Sequence, residues 1–304
     1  MRKVDEDHGG GAMIAVLGAT GRVGRHVAGG LAAAGVPARA LVRDPDRVDL
    51  PIEAVHADLR RPGTLPAALH GVERLLRLTP PVPDQDLLEA AAVHAAAAAG
   101  VRRIVKVSGS PATLGPNGTT ATATAHWRGE QRIERAGLEF AFLRPSFFMQ
   151  NLLETAAPAV VRTGVLTAPF GDAPIAMVDA RDVAACVVAA LLDDRPAHHA
   201  WHLTGPRPVT FPAIAASLGV RHATVPLTVT AAALRRRGLP APAIEHSVRM
   251  AAYLATGADG TVTDHVLRLT GAPPRSIEAF LDEHRDAFAL ATPLARLLST
   301  KKAA

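Results

Sequence analysis

The chain has one cysteine, one tyrosine and two tryptophans in 304 residues. A single cysteine forbids any intrachain disulfide. Cys186 sits in an apolar run, Val183 to Val188, and reads as a small core residue rather than a nucleophile. Such sparing use of cysteine fits a reducing cytoplasm. Aromatic residues are 4% of the chain and are not interleaved with basic ones, which excludes a stacking platform for single-stranded nucleic acid. The net charge of +5 is modest. Its densest basic cluster, Arg235-Arg236-Arg237, reads as a solvated helix end, so no nucleic-acid partner is expected. No apolar run is long enough to cross a bilayer, so no membrane partner is expected either. Residues 1–12 are charged and glycine-rich, without the apolar region of a secretory signal. They read as a disordered leader, with the fold starting at Met13. His198, His199 and His202 have no carboxylate or thiol cluster beside them, and strand alternation would send His199 and His202 to opposite faces. No metal site is expected.

What the chain does have is a stretch from Met13 to Gly24: Met-Ile-Ala-Val-Leu-Gly-Ala-Thr-Gly-Arg-Val-Gly. Met13 to Leu17 is a continuous apolar run, the pattern of a strand buried on both faces. Gly18, Gly21 and Gly24 follow at three-residue spacing, and Val23, Val27 and Leu31 then recur at helical spacing. Strand, glycine turn and helix make a phosphate-binding crossover. Gly18 permits the tight turn, Gly21 lets backbone approach a pyrophosphate, and Gly24 lets the helix pack on the strand. The free N–H groups and positive dipole end of the helix face the phosphates. A dinucleotide is the implied ligand, with Ala19, Thr20, Arg22 and Val23 completing the turn that holds it.

Further on, strand and helix alternate. Ala38 to Arg43 reads as a second strand. Its last residue stands about 20 residues past the glycines, where an acidic side chain would take ribose hydroxyls and an arginine a 2′-phosphate. Arg43 therefore argues for NADP(H) over NAD(H), with Arg22 as a second phosphate partner. The other reading leaves Arg43 solvated and has Asp44 cap a turn at Pro45. Ile52 to Leu59 is a third strand. Asp58 at its end either takes an adenine amino hydrogen, with Leu59 beside it, or caps the helix from Pro62 to Gly71. A fourth strand, Val72 to Thr79, brings Thr79 to the cofactor edge, and an alanine-rich helix runs from Leu87 to Ala99. Val101 to Ser108 is the fifth strand, with Ser108 at its carboxyl end, the ligand edge of open parallel sheets. Five alternations predict a doubly wound parallel sheet covered on both faces, an α/β fold. A Gly/Thr/Ala-rich loop, 111–125, precedes a helix from His126 to Ala136 and a strand from Glu139 to Arg144. Past about residue 155 the texture becomes proline-punctuated. Helices are expected over 179–192, 211–218, 230–238, 244–256, 264–270 and 276–290, with a strand at 200–205 returning to the sheet. The expected division is 13–155 for the dinucleotide domain and 156–304 for a smaller C-terminal substrate lobe.

Several of these stretches together resemble the NmrA-like, atypical branch of the short-chain dehydrogenase/reductase superfamily. They are Gly18 to Gly24, Leu41-Val42-Arg43-Asp44-Pro45, Ala57-Asp58-Leu59, Leu143-Arg144-Pro145 with Phe148-Met149-Gln150-Asn151, Asp179-Ala180-Arg181-Asp182-Val183-Ala184, and Leu203-Thr204-Gly205-Pro206, in family order. The resemblance implies an extended Rossmann fold with NAD(P)H at the glycine loop. It also implies either hydride transfer to a small unsaturated acceptor (a quinone, azo compound or enone) or, as the alternative, a non-catalytic NADP(H) sensor that reports to a protein partner. One departure matters: the Tyr–Lys pair that typical short-chain dehydrogenases carry after the fifth-strand serine is absent. The resemblance places Thr122 at the tyrosine position and His126 at the lysine position. Epimerase or dehydratase chemistry, which leans on that tyrosine, is disfavoured. Ser108 matches the serine, and His126, an imidazole that titrates near neutrality, is the proton donor that remains. Equally, His126 is a histidine of the cleft wall with no part in proton transfer. Glu130 either orients it or only pairs with it along the helix. Phe147, Phe148 and Met149 line an aromatic pocket or are core. Asn151 holds the loop over the nicotinamide or caps locally, and Asp179 and Asp182 read as structural acids of a helix start.

Overall fold

The computed structural model describes residues 12–195 and 198–290. The expected leader, 1–12, lies outside the described residues except for its last member, Ala12. The strands are β1 (Ile14–Leu17), β2 (Ala38–Val42), β3 (Glu53–His56), β4 (Arg74–Arg77), β5 (Arg103–Val107), β6 (Glu139–Pro145), β7 (Val165–Ala168), β8 (His198–Leu203) and β9 (Arg221–Thr224). The helices that alternate with the first six strands are α1 (Arg22–Ala33), the single turn α2 (Leu65–Ala68), α3 (Gln85–Ala98) and α4 (Ala121–Arg135). Later come α5 (Asn151–Thr155), α6 (Ala157–Thr163), α7 (Ala180–Leu192), α8 (Phe211–Ser217), α9 (Leu227–Arg236), α10 (Ala241–Leu254), α11 (His265–Thr270) and α12 (Ile277–Glu283).

Seven strands form one sheet in the order β3-β2-β1-β4-β5-β6-β8, and the pairings from β3 through to β6 are all parallel. The chain winds outward from β1 through β2 to β3, then returns to the other side of β1 with β4. This reversal leaves a crevice beyond the carboxyl ends of β1 and β4, the position where ligands of such sheets bind. The expected doubly wound sheet is therefore the observed one.

The chain divides into two compact units. One comprises the residues up to Val107, with Arg128–Leu143 and Ala184–Ala200. The other comprises Ser108–Trp127, Arg144–Val183 and the residues from Trp201 onward. The first unit's core is the expected apolar set: β1 is buried along its whole length, and Val23, Val27 and Leu31 of α1 pack inward together. Each buried Val or Leu side chain contributes about 1.5–3 kcal/mol of hydrophobic stabilisation. The second unit has its own core, built around Met149, Leu152, Val160, Phe211, Phe280 and Leu281. It also holds a two-stranded parallel sheet, β7 beside β9, which the sequence reading did not anticipate.

Two central strands carry buried cations. Arg74 of β4 is in register with Arg103 of β5, and Arg77 with Lys106. Residues three apart in a strand face opposite sides. On one side Arg103 meets Glu139 at 2.8 Å and the main-chain carbonyl of Ala190. On the other, Arg77 and Lys106 converge on Glu89 of α3, at 2.7 and 3.9 Å, with all three side chains fully buried. Gly129 of α4 covers this group so closely that a Cβ there would overlap Glu89 Oε2 and lie 3.0 Å from Arg77 Nη2.

One helix begins earlier than its composition suggests. The sequence reads as a loop to Ala125, yet α4 starts at Ala121. Thr120 is the physical reason: its buried hydroxyl accepts a hydrogen bond from Ala123 N at 3.1 Å and so serves as the helix cap. His126 consequently lies in the second turn of α4. The expected helix over 62–71 is reduced to a 3₁₀ turn and α2, and the expected helix over 276–290 ends at Glu283 and continues only as a 3₁₀ turn, Arg285–Phe288.

Candidate functional site

The crevice beside β1 is built by close backbone packing. Gly18 has φ +81, a left-handed conformation that favours glycine, and a Cβ there would sit 2.7 Å from Cβ and O of Leu78. Gly21 is the amino-terminal cap residue of α1 and supplies no side-chain acceptor. The first turn of α1 is therefore not capped by a side chain, and its N–H groups lie at the end of the helix that faces the turn. Gly21 N donates to Gly18 O at 3.0 Å, closing the turn. A Cβ on Gly24 would overlap Gly18 O and lie 2.8 Å from Ala19 Cα, so helix and turn touch backbone to backbone. Room, uncapped donors and the positive end of a twelve-residue helix are what a pyrophosphate requires. The residues present fit that group.

A cavity of about 640 Å³ opens beyond this turn. Among the residues expected to bind cofactor, Gly18, Thr20, Arg43, Asp58 and Leu59 line it. Thr79 stands just past β4, where its hydroxyl accepts from Arg77 Nη1 at 3.1 Å. Ala19, Val23 and Gly24 are buried beneath the turn. Arg43 is exposed at the end of β2, and among the described residues its guanidinium makes no ion pair. Its carbonyl is tied down by His56 Nδ1 at 2.9 Å. The neighbouring Asp44 is engaged elsewhere, with Arg47 at 3.3 Å. Asp58 Oδ1 accepts from Arg60 N at 3.0 Å in a local turn, so its carboxylate both shapes the loop and borders the cavity. The sequence reading missed Arg60. It lines the cavity and grips Asp84 through two bonds of 2.8 and 2.9 Å, joining the loops after β3 and before α3.

The other predicted residues lie in the second unit. Ser108 is buried immediately after β5. His126 and Thr122 are four residues apart on α4, on one helix face, and His126 Cδ2 lies 3.8 Å from where a Cβ on Gly109 would stand. A Cβ on the glycine next to Ser108 would thus stand in ordinary contact with the imidazole, and tighter against Leu114 Cδ2 at 3.2 Å and Thr113 Oγ1 at 3.3 Å. Met149 is buried in the core, Phe147 and Phe148 are half-buried, and Asn151 opens α5. Asp179 is fully buried and accepts from Arg181 N at 2.8 Å and Gln150 Nε2 at 2.9 Å. Desolvation alone would raise its pKa, but the bonds from Arg181 and Gln150 outweigh it and hold the carboxyl below its usual range. Asp182 accepts from Arg275 N at 2.7 Å. Both acids are buried and held by these bonds at the start of α7, and Cys186 is buried. Among the described residues no group of three or more His, Cys, Asp or Glu is placed to hold a metal ion, and no helix is long and apolar enough to cross a membrane.

An open parallel sheet with a glycine turn at its switch point belongs to the dinucleotide-binding class of α/β proteins. Comparison with known proteins narrows this. Residues 11–217 match the NmrA-like family, and the chain belongs to that family. It is 34% identical to an NAD(P)H azoreductase of Xenophilus azovorans over 92% of this chain and all of that protein. It is 37% identical to a (4-alkanoyl-5-oxo-2,5-dihydrofuran-3-yl)methyl phosphate reductase of Streptomyces griseus, over 91% of this chain and 99% of the relative. Among solved structures, an NADPH-dependent quinone oxidoreductase of Escherichia coli complexed with NADPH superposes with a TM-score of 0.81. It is 26% identical and covers 89% of this chain and 99% of its own.

Proposed function

We propose that this chain is an NADPH-dependent reductase that delivers hydride to a small unsaturated acceptor: a quinone, an azo compound or an enone. The observation that carries the reading is the start of α1 behind Gly18, which no side chain caps, with the Arg43 guanidinium making no ion pair among the described residues beside the same cavity. Relatives named for azo, quinone and dihydrofuranone substrates support the choice of acceptor. The setting is cytoplasmic, which the single buried cysteine supports.

Gly18, Gly21 and Gly24 hold the pyrophosphate, with Ala19, Thr20 and Val23 shaping the turn. Arg43, assisted by Arg22, pairs with the 2′-phosphate, while Asp58 and Leu59 border the adenine and Thr79 lies at the β4 edge. When bound, the reduced nicotinamide supplies the hydride. His126 gives a proton to the acceptor oxygen or nitrogen and is reprotonated by solvent, and Ser108 hydrogen-bonds the acceptor. The acceptor gains one hydride and one proton, which balances its two-electron reduction.

Arg43→Ala tests the cofactor assignment. A charge-assisted bidentate pair is worth about 1.5–3 kcal/mol, so NADPH affinity falls roughly 10- to 100-fold while NADH affinity moves by less than about twofold. Fluorescence titration of both nucleotides reads this directly, and an unchanged NADPH/NADH ratio removes Arg43 from the 2′-phosphate. His126→Ala lowers quinone and azo turnover by about 100-fold or more with cofactor affinity intact. Steady-state NADPH oxidation measures it, and wild-type-like turnover sinks the proton-donor role. A wild-type protein that binds NADPH tightly yet oxidises it with none of these acceptors is the sensor instead.

A further inference from the structure

The one tyrosine of the chain, Tyr253, lies near the carboxyl end of α10. Its hydroxyl donates to Asp259 Oδ1 at 3.2 Å. Asp259 is buried and collects three further donors: Ser110 Oγ on Oδ1 at 2.6 Å, and Ser146 Oγ and Phe147 N on Oδ2, the latter at 3.3 Å. Ser110 belongs to the segment that follows β5, and Ser146 and Phe147 to the one that follows β6. A single carboxylate therefore gathers the continuations of two parallel strands at their carboxyl ends, the edge where ligands of such sheets bind. Gly109 links Ser108 to Ser110, and the bond from Ser110 to Asp259 fixes the loop that stands beside His126.

The surroundings of Tyr253 suit a flat, partly polar molecule. His246, Met250 and Tyr253 recur at i, i+4 and i+7 on one face of α10, and all three are half-buried. Nδ1 of His246 is buried without a hydrogen-bond partner among the described residues. Phe147 and Phe170 are half-buried and meet edge to face at 6.3 Å between ring centroids. Both pack against the same core as Tyr253. Met and aromatic side chains provide the polarizable contacts that conjugated rings prefer.

We propose that Tyr253 is a substrate-anchoring residue, exchanging its bond to Asp259 for one from its phenolic hydrogen to a carbonyl oxygen of a planar aromatic acceptor of the quinone class. This rests on the reductase reading above. Ser110 and Tyr253 share one oxygen of Asp259, and the tyrosine bond is the longer by 0.6 Å, the difference between 3.2 and 2.6. The phenol is the donor that rotation about Cζ–Oη releases, and three donors stay on the carboxylate when it turns away. Burial, then the charge of Asp259, push the phenol up to about 12, so it is a full donor throughout the neutral range and never a base there. Tyr253 thereby binds oxygen without transferring a proton, and the reaction's proton remains with His126.

A sole tyrosine gives a one-signal experiment. In protein carrying ¹³C at tyrosine Cζ and saturated with NADP⁺, so that no turnover occurs, 1,4-naphthoquinone shifts the single resonance saturably. In the steady state Tyr253→Phe raises KM for naphthoquinone about tenfold, the worth of one neutral hydrogen bond, while NADPH affinity and melting temperature stay at wild-type values. A resonance unmoved at naphthoquinone concentrations that saturate wild-type turnover overturns the proposal. So does a KM unchanged in Tyr253→Phe. A wild-type protein that oxidises no NADPH overturns the reductase reading instead, and in that case a saturable shift still assigns the site.

Discussion

Glu89→Gln destabilises the protein by about 3–5 kcal/mol, the cost of breaking a buried ion pair by removing one partner. Glutamine preserves shape, so the loss is electrostatic. Arg77 and Lys106 stand side by side in register on adjacent strands, both fully buried, and Glu89 is the carboxylate they share. Burial pulls the pKa of Arg77 below the ordinary guanidinium value. The negative charge of Glu89 is the larger of the two that oppose this, Glu130 being the other, also buried. Without Glu89, two cations in a low-dielectric strand pair repel each other with one fewer countercharge. Urea unfolding reads the change as a lowered midpoint at constant m. The control is the triple variant Arg77→Met, Glu89→Leu, Lys106→Met, which removes Glu89 together with both cations that converge on it and is less destabilised than Glu89→Gln alone. If Glu89→Gln unfolds at the wild-type urea concentration, the group is not held by that charge. The same cluster reaches function through Thr79, because Arg77 Nη1 donates to its hydroxyl. NADPH affinity in folded Glu89→Gln therefore also falls if Thr79 belongs to the cofactor edge.

This cluster also marks where the sequence stops being legible. β4 and β5 could be read as strands because their apolar residues are continuous enough, but nothing in Arg74-Leu75-Leu76-Arg77 tells that its arginines are interior. Their partners come from α3 and β6, and pairing across tens of residues leaves no local trace. The phosphate turn is the opposite case. A run buried on both faces, glycines three apart and a helical stripe are local patterns, so β1, the turn and α1 were readable to within a residue. The carboxyl-end cluster was not: Asp259 meets Ser110 from 149 residues away and Ser146 from 113. The one available signal was compositional, a single tyrosine in the whole chain. The sheet of β7 and β9 was hidden for a related reason. Its strands are four residues each, with no alternation to read, and each is completed only by the other. The late start of the helix assigned to His126 came from discounting a Thr/Ala run that Thr120 in fact caps.

Gly24→Val abolishes measurable NADPH binding, a loss of at least about 100-fold, while much of the fold survives. A Cβ at this position overlaps Gly18 O and lies 2.8 Å from both Gly18 C and Ala19 Cα, all backbone atoms that cannot rotate away. The clash is relieved only if α1 moves off β1 or the turn at Gly18 opens. Either movement turns the first-turn N–H groups away from the phosphates, and interactions there are directional. Displacing the helix also uncovers Val23, Val27 and Leu31, each worth about 1.5–3 kcal/mol when buried, so stability falls as well. The two effects separate by comparison with Gly29→Ala on the same helix. A Cβ there meets nothing within 4 Å, and replacing a mid-helix glycine by alanine stabilises by roughly 0.5–1 kcal/mol. Gly29→Ala should therefore bind NADPH as wild type does and melt slightly higher, whereas Gly24→Val retains far-ultraviolet helicity but shows no fluorescence response to either reduced nucleotide. Ordinary NADPH affinity in Gly24→Val would mean that the phosphates do not lie at the amino end of α1, and both the reductase and the sensor readings would lose their common footing.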